Sequence, residues 1–87
     1  MTKPPQDRRI GFVGIIVQNP EQSYHQLNEV LHEHASVIVG RQGIPYRERS
    51  LSILSLIVDG TTDDIGALTG KLGQLPGVSV KTGFAKL

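Results

Sequence analysis

The apolar residues of this 87-residue chain repeat once, without a gap. Ile16 and Val17 stand 41 positions before Ile57 and Val58, and the same shift carries Leu27 onto Leu68, Leu31 onto Leu72, Val37 onto Val78 and Val39 onto Val80. Phe12, Val13 and Ile15 fall on Ile53, Leu54 and Leu56. The polar positions differ almost everywhere, so what recurs is a burial pattern. Such an echo constrains the fold strongly, because each copy must be one supersecondary unit that cannot bury its apolar face alone. The length leaves room for one domain and no second.

Each copy reads as strand, helix, strand. Residues 9–18 (RIGFVGIIVQ) are rich in β-branched side chains, which predicts a strand. Asn19-Pro20 ends it, with Asn19 suited to a helix N-cap and Pro20 to the first helical position. Over 21–34, Tyr24, Leu27, Leu31 and His34 recur at spacings of three and four, one face of a helix. A second strand is expected over 36–41, a turn region over 41–50 with Gly43 and Pro45 as breakers, and a third strand over 51–59. Thr61 and Asp64 have capping-box spacing, and Asp63 and Asp64 place negative charge where a helix dipole favours it. Ile65, Leu68, Leu72 and Leu75 form the apolar stripe of this second helix, Pro76-Gly77 stops it, and 78–84 is the last strand.

The order βαββαβ predicts an α+β fold: a ferredoxin-like sandwich, with four antiparallel strands, two helices on one face, and the first and third strands central. Residues 9–87 form this single domain. Residues 1–8 read as a flexible tail, because Pro4-Pro5 and their polar neighbours offer nothing to bury.

The central strands are apolar on both sides. Ile10, Phe12, Gly14 and Ile16 share one face of the first, and Gly11, Val13, Ile15 and Val17 the other. In the third, Leu51, Ile53, Ser55 and Ile57 oppose Leu54, Leu56 and Val58. A sheet covered by helices on one side only should alternate apolar with polar. About six aliphatic side chains left in water exceed what monomers usually tolerate. The pattern predicts a homo-oligomer, dimer or tetramer, in which sheets meet back to back or extend edge to edge.

Composition removes several functions. Cysteine is absent, so disulfides, thiolate catalysis and Cys-ligated metal are excluded. Apolar runs such as Leu56-Ile57-Val58 are far short of the roughly 20 residues a membrane helix needs, and the first residues lack the apolar middle of a secretory signal. We expect a cytoplasmic domain. A net charge of +1 with well-mixed acids does not advertise nucleic acid. No Walker loop, GxGxxG or Ser-His-Asp framework is present, so no catalytic residue and no cofactor are assigned. His25 and His32 lie about 10.5 Å apart along a helix, too far to share an ion through bonds of about 2.0 Å, and no metal ligand is assigned.

Three features remain as candidates for binding. At the second strand-to-helix turn, Gly60, Thr61 and Asp63 offer backbone N–H groups and side-chain oxygens, and Gly66 leaves room beside them. Anions favour helix N-termini, but Asp63 and Asp64 disfavour a phosphate, so a zwitterionic or neutral polar ligand fits better. Asn19 occupies the equivalent turn of the first copy. In the segment 41–49, Arg41 and Arg49 flank Tyr46, and arginine forks suit a carboxylate or an interface rim.

Val39-Gly40-Arg41-Gln42-Gly43-Ile44-Pro45-Tyr46-Arg47, Ile57-Val58-Asp59-Gly60-Thr61-Thr62-Asp63 and Gly66-Ala67-Leu68-Thr69-Gly70-Lys71-Leu72 together resemble the iron-only hydrogenase system regulator family. The resemblance implies a small ACT-like domain, similar in fold to the C-terminal sensing domain of the nickel-responsive repressor. Asp64-Ile65-Gly66-Ala67-Leu68 is similar to the Asp-x-x-Gly-Leu turn of amino-acid-binding ACT domains, shortened by one residue. The repressor's His and Cys ligands have no counterpart on these strands, and the short segment before the first strand is expected to supply no DNA-binding element.

The expectation is therefore a non-enzymatic, oligomeric regulatory module. It takes a small polar ligand between subunits at Asn19, Arg41, Tyr46, Arg49, Gly60, Thr61, Asp63 and Gly66. The alternatives are an adaptor for a partner protein, without a ligand, and a metal-responsive transcription co-regulator.

Overall fold

Strict alternation on the two middle strands sorts their side chains between two faces, and the two helical stripes settle on the same one of those faces. The computed structural model of the protein describes residues 8–86. Its elements are β1 (Arg8–Gln18), α1 (Pro20–Glu33), β2 (Ile38–Tyr46), β3 (Leu51–Thr61), α2 (Thr62–Gly73) and β4 (Val78–Phe84), with short 3-10 turns at Ala35–Val37 and Arg47–Arg49. The strands form one sheet in the order β2-β3-β1-β4, and every neighbouring pair is antiparallel. This is the expected ferredoxin-like α+β sandwich. In that order, strands from the two copies of the repeat alternate across the sheet.

The core lies between sheet and helices. Val13, Ile15 and Val17 of β1 and Leu54, Leu56 and Val58 of β3 meet Leu27, Val30 and Leu31 of α1 and Ile65, Leu68 and Leu72 of α2. Each such side chain contributes roughly 1.5–3 kcal/mol by leaving water. Repeat-related partners such as Leu27 and Leu68 are both fully buried. Val39 departs from its partner: the register between β2 and β3 shifts between Ile38 and Gly40, and Val39 stands exposed, whereas its counterpart Val80 is half-buried.

α2 begins as its sequence dictates. The Thr61 hydroxyl accepts from the Asp64 N–H at 3.0 Å, and the Asp64 carboxylate accepts from the Thr61 N–H at 3.4 Å. α1 starts differently. Asn19 precedes it in the left-handed region, φ 52°, and makes no side-chain capping bond; Asn tolerates that conformation better than most residues. The buried face of α1 is also rotated from the expected one. Tyr24 is exposed, and Ser23 takes the inward position beside Leu27, Val30 and Leu31. Its hydroxyl donates to the Pro76 carbonyl, which removes the penalty of burying a lone polar group.

The expected turn over 41–50 is largely strand. β2 continues through Gly43 and Pro45 to Tyr46, and only Arg47–Ser50 turn. β2 is an edge strand, where a proline's missing N–H breaks no ladder. Arg8, the last residue of the expected tail, belongs to β1 and pairs with Thr61. The expected tail over residues 1–7 lies outside the described residues.

Candidate functional site

Because β1 and β3 run antiparallel, the two strand-to-helix turns lie at opposite ends of the sheet. Gln18 pairs with Leu51 at one end, and Arg8 with Thr61 at the other. Eleven residues of strand separate them by roughly 35 Å. Within one protomer, Asn19 therefore cannot meet Gly60, Thr61, Asp63 or Gly66.

At the Leu51 end, β2 outruns the cover that α1 provides, leaving a groove of about 360 Å³ on the helix side of the sheet. Leu54, Pro45 and Gly43 line its floor, and Pro20, Glu21 and Tyr24 of the first turns of α1 form one wall. Arg41 lines the opposite side. It pairs with Leu56, which is a core residue, so its side chain points to the helix side. The groove thus holds a cation and a carboxylate, Arg41 and Glu21, over an apolar floor. A second cavity, of about 430 Å³, adjoins it, lined by Asn19, Pro20, Glu21, Pro45, Arg47 and Ser50, among others. Two residues with left-handed backbone, Asn19 and Ser50, face that cavity together.

At the far end, a cavity of about 280 Å³ is lined by Arg8, Ser36, Asp59, Gly60, Thr61 and Asp64. The Arg8 Nε lies 3.3 Å from the Asp59 carboxylate, and Gly60 is buried where a Cβ would come within 3.3 Å of Val37. Asp63 and Gly66 are exposed on α2 and do not line this cavity.

Of the eight residues expected to bind ligand, the structure places Arg41 in the groove and Asn19 beside it, and Gly60 and Thr61 in the far cavity. Tyr46 pairs with Leu51, on the face away from the helices, and Arg49 sits in the hairpin tip. Glu21, Tyr24, Pro45 and Ser52 complete the groove without having been anticipated. The signal for them was the same Pro20 that starts α1. A helix entered directly from a strand turns its first residues back over the neighbouring strands.

The face away from the helices carries Ile10, Phe12, Ile16 and Ile57, with Ile44 and Tyr46 from β2, all substantially exposed. Among the described residues, no three of His, Cys, Asp and Glu gather as a metal would require. His25 and Glu29 form an exposed pair at 3.0 Å on α1, and among the described residues no helix is long and apolar enough to cross a membrane.

Comparison with known proteins agrees with this architecture. Residues 9–82 match the model of the TM1266-like family, described as "Iron-only hydrogenase system regulator, putative". The structure of the uncharacterized protein TM1266 from Thermotoga maritima is 43% identical, covers 91% of this chain and 99% of its own, and superposes with a TM-score of 0.87. The ACT domain of the GTP pyrophosphokinase of Chlorobium tepidum shares the fold, with a TM-score of 0.72 at 17% identity and coverage of 93% and 91%. The apo form of CPII, a nitrogen regulatory PII-like protein from Thiomonas intermedia, shares it with a TM-score of 0.54 at 9% identity and coverage of 92% and 96%. No curated protein matches. The family model spans both copies of the repeat and all three of the sequence runs singled out above, and the chain is accordingly a member of the TM1266-like family of iron-only hydrogenase system regulators, built on an ACT-like domain.

Proposed function

We infer that this chain is a non-enzymatic regulatory module of the cytoplasm. It acts in an iron-only hydrogenase system, as an oligomer that binds a small polar ligand. One observation carries the reading: the groove between α1 and β2 sets Arg41 and Glu21 over the apolar floor of Leu54 and Pro45. A guanidinium and a carboxylate across one cavity match the carboxylate and ammonium of a zwitterion, and the floor suits an aliphatic stem. Asn19 borders the same end. Gly60, Thr61, Asp63 and Gly66 lie at the far end of the sheet and would reach this ligand only from a second subunit.

Thermal denaturation against a panel of amino acids and related zwitterions tests this. A ligand at about 100 times its dissociation constant adds about 2.7 kcal/mol of stability, or roughly 10–20 °C in a domain of this size. The shift should vanish in Arg41→Ala. If no compound raises the midpoint of the unsubstituted chain, the ligand reading fails.

The adaptor reading is favoured by a different observation, the exposed apolar face of the sheet, which suits a protein partner as well as it suits a copy of the chain. A partner protein retained after Arg41→Ala and Arg49→Ala, with no zwitterion shift, would replace the first reading by this one.

A further inference from the structure

Five rows of side chains cross the face of the sheet that the helices leave bare, and their relief is uneven. In one row Phe12 lies beside Ile57 and Gly83. In another, Ile16 lies beside Ile53, which in turn meets Ile44. Between these two ridges runs a row of Gln42, Ser55, Gly14 and Lys81, whose centre, Ser55 and Gly14, has almost no side chain. The two end rows hold Ile10 and Asp59 at one side, and Tyr46, Leu51 and Gln18 at the other.

Phe12 is the tallest feature. It is 54% exposed, and its neighbour Gly83 gives it no lateral support. Gly14 is the deepest. A Cβ there would have its nearest neighbour, the Lys81 carbonyl oxygen, at 4.0 Å, so nothing within the protomer demands glycine. Glycine inside a strand weakens it and marks close approach by something else. The centre of the face holds no charge. Arg8 and Asp59 pair with each other at one end, and Lys81 lies on the β4 margin.

We propose that this face is covered by a second copy of the chain, sheet against sheet, with Phe12 of each copy seated in the Gly14–Ser55 trough of the other. A two-fold arrangement puts the same patch on both partners, so a surface with a knob next to a hole of its own is self-complementary. The areas agree. Ile10, Phe12, Ile16, Ile44, Tyr46 and Ile57 leave on the order of 500 Å² in water per copy, at the upper end of what monomers expose. Two copies together reach about 1,000 Å², the size at which specific interfaces begin. The uncharged, aromatic-containing centre with polar margins is the usual anatomy of such a contact, and facing sheets pack about 10 Å apart. The pairing deepens the oligomeric part of the proposed function and is independent of the ligand.

Sedimentation of the full chain from about 1 to about 100 µM, without added ligand, tests it. The unsubstituted protein should sediment at twice its 9.5 kDa. Gly14→Asp places a carboxylate in the trough, where the protomer has room for it, and should weaken association at least about 100-fold while the circular dichroism and the dispersion of the amide proton spectrum stay native. Phe12→Ser removes the knob and should do the same. Val39→Asp, on the exposed β2 edge, should leave the dimer intact. A monomer throughout the range overturns the proposal. So does a dimer undiminished by Gly14→Asp and Phe12→Ser, or one dissociated by Val39→Asp but not by Gly14→Asp, which would mean edge-to-edge assembly. A dimer that shows no thermal shift with zwitterions defeats only the ligand reading, and a ligand shift in a monomer defeats only this one.

Discussion

Replacing Gly77 by alanine should cost this protein a large part of its stability. Gly77 has φ +72° in the turn between α2 and β4, and a Cβ there would lie 2.8 Å from the Gln18 carbonyl oxygen. The same residue holds the end of β1, because the Gln18 N–H donates to the Gly77 carbonyl at 2.7 Å. A left-handed backbone costs an L-residue about 1–2 kcal/mol. Relieving the clash stretches a hydrogen bond worth about 0.5–1.5 kcal/mol. The reduced freedom of the unfolded chain returns about 0.4–1 kcal/mol. The net loss is about 1–2.5 kcal/mol, and at 4–8 °C per kcal/mol the midpoint should fall by roughly 5–20 °C. Urea unfolding followed by circular dichroism, at one fixed protein concentration so that association does not shift the comparison, measures it. Gly70→Ala is the control. Gly70 lies in α2 with nothing within 4 Å of its Cβ position, so it should gain about 0.5–1 kcal/mol. If Gly77→Ala is as stable as the unsubstituted chain, or Gly70→Ala loses as much as Gly77→Ala, the reasoning from backbone geometry is wrong.

Three further substitutions follow from the packing and the caps. Ser23→Ala removes the hydrogen bond to the Pro76 carbonyl and should destabilise by about 0.5–1.5 kcal/mol, read as a lower urea midpoint with an unchanged slope. Leu68→Ala, at a fully buried core position, should cost about 2–5 kcal/mol by the same measurement. Thr61→Ala breaks the reciprocal cap of α2 and should cost about 1 kcal/mol, whereas Asn19→Ala removes no capping bond and should cost less by that route.

The parts of this fold that were legible in the sequence are those set by local chemistry or by the repeat. Thr61 and Asp64 announce a helix start through atoms three residues apart. Leu27 and Leu68 announce buried stripes through spacing alone. What was misread depends on partners distant in sequence. Nothing near Ser23 reveals that Pro76, 53 residues on, accepts its hydrogen bond, so Tyr24 looked like the inward residue. Gly43 and Pro45 look like breakers until the strand they belong to proves to be an outer one with its N–H side free. The candidate site was half legible. Arg41 does line the groove, but it was grouped with Tyr46, and the register of β2 sends those two side chains to opposite faces. Asn19 and Gly60 are equivalent by repeat, and that equivalence, within an antiparallel pair, is what separates them.

The alternation of the two repeat copies across the sheet bears on how the chain acquires its shape. β1 and β2 belong to the first copy, yet β3 stands between them, and β1 in turn stands between β3 and β4. Neither copy owns a pair of hydrogen-bonded strands. A nascent chain that has emerged only as far as Tyr46 has no ladder to form, however well α1 is primed, and must wait for the second copy before any sheet exists. The protein therefore has no half-folded refuge. It should fold late during synthesis, in a single cooperative step, and slowly for its length, since each pairing beyond the β2–β3 hairpin closes a long loop.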